Sequence, residues 1–245
     1  MTAAFTIVRD EAFFLPLWLG YYGGEFGPEH CLVLDHGSTD GSTDALPCRV
    51  VRLGHEPCYD HEWLVGTAAE WQANLLGEGY RAVIYSDVDE MLCHPLGLRR
   101  FAESFPVAAC RAKGYHVVQG PGEAAYDAAR PIVAQRGWWR ADRLYDKTLL
   151  AREPLRWEVG FHSLAGKQHG TPAEGLTLVH LHGFDRAVAR ARHEARRGWT
   201  WSAEEIASRR GEHWRLEGEA LDKWLDEQVA GAEPVAGWLK EQVPF

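Results

Sequence analysis

The sequence predicts an α/β fold, a mixed and mainly parallel sheet flanked by helices, and three observations predict it. Short apolar runs rich in β-branched residues recur along the first half of the chain, most end in a polar corner, and apolar segments of helical length follow. Three of the corners carry carboxylates. In open α/β sheets the carboxyl ends of the strands face a common crevice, so acids at three such ends suggest one cleft. The last third is helical by pattern, which marks residues 185–245 as a helical extension packed on a main domain of residues 1–184.

Phe5-Thr6-Ile7-Val8 is the first strand, Arg9-Asp10-Glu11 its corner, and Phe13 to Tyr22 an apolar helical segment that tolerates Pro16 in its first turn. Cys31-Leu32-Val33-Leu34 is a buried strand running into Asp35-His36-Gly37-Ser38-Thr39-Asp40-Gly41-Ser42-Thr43-Asp44, whose Ser and Asp side chains can cap a helix. Arg49 to Leu53 is a third strand. Glu62 to Leu76 is an amphipathic helix with Trp63, Leu64, Ala68, Trp71, Leu75 and Leu76 near one face. Val83-Ile84-Tyr85-Ser86 then leads into Asp87-Val88-Asp89-Glu90, two carboxylates one residue apart at a strand end. Val107 to Ala112 and Tyr115 to Val118 read as two strands before the turn Gln119-Gly120-Pro121-Gly122. Residues 124–143 show turn chemistry and aromatic residues with weak periodicity, and are expected to form a mobile loop.

Lys147 to Leu150 and Leu176 to Val179 are the last strands. Downstream, Asp185 can cap a helix from Arg186 to Arg197, Ser202-Ala203-Glu204-Glu205 has the form of a capping box, and Glu217 to Val229 places Leu221, Trp224 and Leu225 at helical spacing. Arg186, Arg190, Arg192, Arg196 and Arg197 read as a solvated helix face; the sharper reading is a hold on a diphosphate or an acidic acceptor.

At 245 residues and 27.5 kDa the chain can bury one substantial core. Its net charge of -9 argues against nucleic acid, which needs a basic face. The five cysteines are odd in number and form no Cys-x-x-Cys pair, as expected of reduced thiols. His55-x-x-Cys58-x-x-His61 lacks a fourth ligand for structural zinc. No run approaches the roughly 18 apolar residues of a membrane span, and no charged-then-apolar leader opens the chain, so a cytoplasmic location is expected.

The chemistry begins with Asp87-x-Asp89. Hard cations such as Mg2+ and Mn2+ take oxygen ligands, commonly one or two carboxylates plus substrate phosphates, so this pair suits a metal diphosphate. The dipeptide spacing alone is a weak motif, and the other two corners strengthen it. Asp35-His36-Gly37-Ser38-Thr39-Asp40-Gly41-Ser42 resembles the Asp-Asp-Gly-Ser-x-Asp-Gly-Thr signature of family 2 glycosyltransferases. Arg9-Asp10-Glu11 resembles their first-strand Asn-Glu corner, and Asp87-Val88-Asp89-Glu90-Met91 the Asp-x-Asp-Glu-Phe form of the family 92 (DUF23) relatives. Order and spacing match over residues 5–185. His36 departs from the usual Asp or Asn, and Arg9-Asp10 from the usual Asn.

The resemblance implies a GT-A fold and transfer of a sugar from a nucleotide sugar, a UDP-sugar above all, to an acceptor hydroxyl on a glycan or small molecule. It implies Mn2+ or Mg2+ as cofactor. Nucleotide contacts would come from Val8, Arg9, Asp10, Asp35, Ser86, Asp87 and Lys147, and metal ligands from Asp87, Asp89 and His162. His180 and His182 rival His162, because strand alternation puts both on one face. An inverting enzyme needs a carboxylate to take the acceptor proton, and Asp142, Asp146 and Glu158 lie between the metal motif and His162. Trp138, Trp139 and Trp157 are candidates to stack on a sugar, against the commoner use of Trp as core filler. Two alternatives stand. A nucleotidyltransferase would carry a Gly-rich, Lys- or Arg-bearing loop after the first strand, which Arg9 to Tyr22 lacks. A noncatalytic sugar or nucleotide binder would keep the corners without turnover.

Overall fold

The computed structural model describes residues 1–55, 58–243 and 245. Strands are β1 Thr2–Val8, β2 Cys31–Asp35, β3 Arg49–Arg52, β4 Ala82–Tyr85, β5 Glu90–Cys93, β6 Ala109–Val118, β7 Trp138–Ala141, β8 Thr148–Ala151, β9 Thr171–His180 and β10 Glu233–Pro234. Helices are α1 Phe14–Phe26, α2 His61–Gly77, α3 Leu98–Ser104, α4 Ile132–Gln135, α5 Arg186–Arg197, α6 Ala203–Ser208, α7 Gly218–Val229 and α8 Gly237–Gln242. The expected mixed α/β sheet flanked by helices is what forms.

The sheet has two halves. In the order β3-β2-β1-β4 neighbouring strands run parallel, and β8 joins β4 antiparallel to continue into β6, β7 and β10. β9 pairs parallel with β6 and antiparallel with β5. Inside the edge strand β3 the parallel half is buried on both faces, which explains why β2 and β4 are short, largely apolar runs with every residue buried. The core between sheet and helices includes Phe5, Trp18, Tyr22, Val33 and Ile84, each fully buried.

Parallel pairing sets the cleft. Val8 lies beside Asp35, His36 N–H donates to the Val8 carbonyl (2.8 Å), and Ser86 N–H to the Phe5 carbonyl (3.2 Å), so the three corners end together. The corners are also stitched to each other. Asp10 holds a left-handed backbone (φ 52°) and its carboxylate accepts from Thr39 N (2.6 Å), while Ser38 Oγ accepts from Asp10 N (3.1 Å).

The structure corrects four local readings. Val107 to Ala112 and Tyr115 to Val118 are one strand, β6, that runs unbroken through Lys113-Gly114. Glu90 to Cys93, of which Glu90 and Met91 are expected in the acid corner, is strand β5; α1 secures it, since Tyr21 donates to the Leu92 carbonyl (2.7 Å) and Leu92 N–H to Tyr22 Oη (2.9 Å). On α2 the buried residues are Ala68, Gln72 and Leu75, and Gln72 is buried because its Oε1 accepts from Leu155 N (2.6 Å).

The fourth correction concerns residues 124–143, which hold α4 and β7 rather than a mobile loop. Their anchor is Arg136, 1% exposed, whose guanidinium donates to Asp185 Oδ2 (3.0 Å) and to the Phe184 and Ala124 carbonyls. Asp185 also caps α5 as expected, accepting from Ala187 N and Val188 N. Ser202 likewise caps α6 through Glu205 N (3.2 Å), but Glu205 does not close the box: its carboxylate accepts from His61 N (3.1 Å) and pairs with His61 Nδ1 (2.6 Å). Among the described residues no helix is long and apolar enough to cross a membrane.

Candidate functional site

The cleft at the carboxyl ends of β1, β2 and β4 is closed on its far side by the end of β9 and by α5. Register puts the key groups there. His180 stands beside Glu90 of β5 and His116 of β6, and Leu181 N–H donates to the Asp89 carbonyl (2.9 Å), which fixes the second carboxylate of Asp87-x-Asp89 against the end of β9.

Among the described residues one group could share a metal ion. Asp89, His180 and His182 each offer a ligand atom within 4.8 Å of the others, and all three are buried. Asp89 Oδ2 lies 3.2 Å from His180 Nε2. One carboxylate oxygen with two imidazole nitrogens suits Mn2+ better than Mg2+, which favours all-oxygen shells. Burial opposes the Asp89 charge, yet Arg192 and His180 outweigh it and hold the carboxyl well below the usual range.

Arg192 and Arg196, on α5, complete this wall. Arg192 donates to Asp89 Oδ2 and to Glu11 Oε1 (2.7 Å), and Arg196 donates to the same Glu11 oxygen (2.7 Å). Two carboxylates and two guanidiniums thus compensate each other out of water, the condition under which buried charges are tolerated. Aromatic faces back them: Arg192 lies 4.5 Å from the Phe14 ring centre, and Arg196 3.8 Å from that of Trp214. The α5 arginines therefore divide. Arg192 and Arg196 turn into the site with most of their side chains covered, correcting the reading of a wholly solvated face, whereas Arg186 and Arg190 pair with Asp226 and Asp222 on α7.

A histidine layer lies behind the ion group. His180 Nδ1 is 2.9 Å from His116 Nδ1, and His116 Nε2 is 3.2 Å from Asp142 Oδ2. The hydrogen bond from His116 is the main cause that takes the Asp142 carboxyl down to about 2, and burial takes His116 down to about 4. His182 Nε2 meets His193 Nε2 at 3.0 Å, with Trp214 stacked on His182 at 4.3 Å. Burial lowers His193 to about 3 and His213 to about 4, so both are neutral near pH 7.

The predicted contacts separate into two sets. Val8, Arg9, Asp87, Asp89, Lys147 and His162 line the cleft, joined by Glu11, His36, Tyr59, His61, Trp199 and Trp214. Lys147 donates to Glu90 Oε1 (2.6 Å) and sits 3.6 Å from Asp87 Oδ2; burial opposes its charge, but Glu90 and Asp87 raise its pKa. His162 donates from Nδ1 to the Leu144 carbonyl (2.6 Å), which leaves a lone pair on Nε2. It is not in the Asp89, His180 and His182 group.

The other set lies outside the cleft lining. Asp35 is fully buried and accepts from Ser38 N (2.8 Å), Thr43 Oγ1 (3.0 Å) and Arg52 (3.0 Å), so it braces its own corner. Ser86 is equally buried, accepting from Trp18 Nε1 (2.9 Å), and Asp10 is spent on Thr39. Glu158 is exposed and accepts from Gly166 N (3.0 Å), while Asp146 accepts from Gly114 N (2.9 Å) beside a separate groove. Of the expected sugar-stacking residues, Trp139 and Trp157 are buried in the core and Trp138 is partly exposed; Trp157 donates to the Thr148 carbonyl (2.8 Å).

The sequence does not single out Tyr59, Trp199 or Trp214, it offers His61 only in a zinc pattern that lacks a ligand, Arg192 and Arg196 only within a run whose sharper reading is a hold on a diphosphate, and Glu11 only as part of its corner. One signal was available. Arg192 and Arg196 are four apart and share a helix face, so they could have been separated from Arg190 and Arg197.

No protein-family model matches the chain, and no curated protein sequence matches it. Among solved structures, the mannosyltransferase PcManGT from Pyrobaculum calidifontis in complex with GDP-Man and Mn2+ is similar over 93% of this chain and 68% of its own, with 16% identity and a TM-score of 0.40. S. aureus TarS is similar over 91% of this chain and 47% of its own, with 10% identity and a TM-score of 0.39. TarS 1-349 in complex with UDP is similar over 91% and 77%, with 10% identity and a TM-score of 0.38. This chain spans about half the length of full TarS. Likenesses this distant leave function to the geometry of the cleft.

Proposed function

We propose that this chain is a metal-dependent glycosyltransferase that moves a sugar from a nucleotide sugar, a UDP-sugar, to an acceptor hydroxyl. One observation carries the reading: a buried carboxylate and two imidazoles converge at the carboxyl ends of a parallel sheet, in a cleft that also holds two arginines and a lysine. Asp89, His180 and His182 would hold Mn2+, with Asp87 at the mouth and His162 as the next ligand on the cleft wall. When bound, the ion supplies stabilisation of the negative charge that grows on a diphosphate leaving group, an effect of several kcal/mol.

The chain's own cations complement that chemistry. Guanidinium groups match phosphate oxygens bidentately, and Arg192 and Arg196 are held in place by Glu11 and by stacking, ready to donate to a diphosphate. Lys147 adds a fixed positive charge between Glu90 and Asp87. At the other end His36 stacks on Trp63 (4.2 Å), a flat pair fit to bound a nucleobase, beside the Asp35 corner. Trp199, half-buried on the cleft lining, offers an aromatic surface on which a sugar can pack.

A second reading has one observation in its favour. Arg192 already gives Asp89 a cation, as a noncatalytic nucleotide binder would require. Turnover separates the two. Incubation with a panel of UDP-sugars and Mn2+ should release UDP from at least one, slowly even when water replaces the acceptor. UDP bound tightly, with no donor consumed over many hours, would leave the binder as the better reading; no Mn2+-dependent UDP binding in calorimetry would remove both the metal and the transferase.

A further inference from the structure

Asp142 was weighed above as a base, yet it does not line the cleft. What it touches is the second residue of a hydrogen-bonded line: Asp142, His116, His180, Asp89, with successive contacts of 3.2, 2.9 and 3.2 Å. The direction of each bond follows from which atoms can donate. A carboxylate only accepts, so His116 donates from Nε2 to Asp142. His116 and His180 meet through their Nδ1 atoms, and one of the two must donate.

An ion on His180 Nε2 needs the lone pair there, which confines that ring's proton to Nδ1. His180 must then be the donor and His116 Nδ1 the bare acceptor. A neutral His116 has that arrangement only if its proton sits on Nε2, the atom that faces Asp142. We propose that Asp142, acting through His116, is the positioning residue that fixes His180 in the tautomer that binds metal. This rests on the metal reading of the cleft given above.

The surroundings of Asp142 suit an anchor. Its Oδ2 also accepts from Arg140 (3.3 Å), the β7 residue paired with His116, and its Oδ1 caps the following turn through Leu144 N (3.0 Å). Tyr145, in that turn, stacks on the His180 ring at 4.6 Å and 20°, so one residue sets both the ring plane and its proton. The opposite polarity, with His180 donating from Nε2 to Asp89, would serve a protein that holds no ion.

The test uses the full chain and MnCl2 alone, with free Mn2+ followed by electron paramagnetic resonance. Asn keeps the cap that Asp142 provides but cannot offer two anionic acceptors. Asp142→Asn and His116→Phe should each weaken Mn2+ binding about 10–100-fold with the circular dichroism spectrum retained. Variants that fold and bind Mn2+ like the parent overturn the role of Asp142 while leaving the metal site standing. A parent chain that binds no Mn2+ overturns the metal reading and this inference together. A second measurement needs no variant: imidazole 15N shifts of the parent with Zn2+, a diamagnetic ion that takes imidazole nitrogen, should show His180 protonated at Nδ1 and His116 at Nε2. Protonation of His180 at Nε2 under saturating Zn2+ overturns the proposal.

Discussion

The two walls of the cleft are built differently. The near wall, at the ends of β1, β2 and β4, comes from three contiguous motifs, and its acids bond mainly within and between neighbouring corners and to β3: Asp35 to Ser38, Thr43 and Arg52, Asp10 to Thr39. The far wall takes single residues from separate elements, namely His180 and His182 from β9 and its exit, His116 from β6, and Arg192 and Arg196 from α5. Its groups bond across the fold, Arg192 reaching Glu11 over 181 positions of sequence. The motif-bearing wall supplies the scaffold and the carboxylates that face the space, Glu11, Asp87 and Asp89, whereas the dispersed wall supplies the imidazoles and the two guanidiniums that neutralise Asp89 and Glu11.

If that division is right, the far wall should fail when its anchor is cut. Arg136→Ala leaves Asp185 buried without its cation at the start of α5, and should destabilise the protein by about 3–5 kcal/mol in urea titration. A change under 1 kcal/mol would mean that α5 is held by something else. On the near wall, Asp89→Asn should abolish Mn2+-dependent UDP binding, a loss on the order of 100-fold or more, with the fold intact. Unchanged affinity in calorimetry would sever Asp89 from the metal.

A third change tests how the walls meet. Arg192→Met removes the guanidinium that neutralises Asp89 and Glu11, so the metal-free variant should lose about 2–3 kcal/mol, and Mn2+ should raise its melting temperature more than that of the parent. Equal Mn2+ shifts would show that ion and arginine do not compete for Asp89.

Acid tests the histidine layer behind the far wall in the metal-free chain. His116, His193 and His213 are depressed to about 4, 3 and 4 by burial, while in the unfolded chain they titrate near 6.5. Below about 6.5 the unfolded chain binds more protons than the folded one. The stability of the neutral histidines is therefore whole above pH 6.5 and lost on descent towards pH 4, by roughly 1 kcal/mol per pH unit for each well-buried ring. A flat melting temperature between pH 7 and pH 5 would show that the layer stays protonatable.

Legibility follows the same division. Strands β1 to β4 and the caps at Asp185 and Ser202 were readable because periodicity and capping are local. β5 was not, since the acids before it masked a four-residue strand that only the tyrosines of α1 explain. Residues 124–143 looked loose because they are organised by one distant ion pair, Arg136 with Asp185, rather than by periodicity. His180 and His182 could be placed on one face from alternation, but the meeting of His180 with His116 and Asp89 depends on strand register, which no local pattern encodes.

That register hangs on a small irregularity. Between Arg111 opposite Pro172 and Lys113 opposite Thr177, four residues of β9, Ala173 to Leu176, stand against Ala112 alone, with Gly175 at φ 77°. The bulge acts as an expansion joint between the outer and inner parts of β9. Residues added or removed within it can be absorbed without moving His180, and L-residues at position 175 would strain the joint itself. Beyond Thr177 there is no such slack: a single inserted residue would bring Val179 opposite His116 and carry the imidazole to the opposite face of the sheet. In a library of insertions through β9, the boundary between harmless and inactivating positions should fall at Thr177.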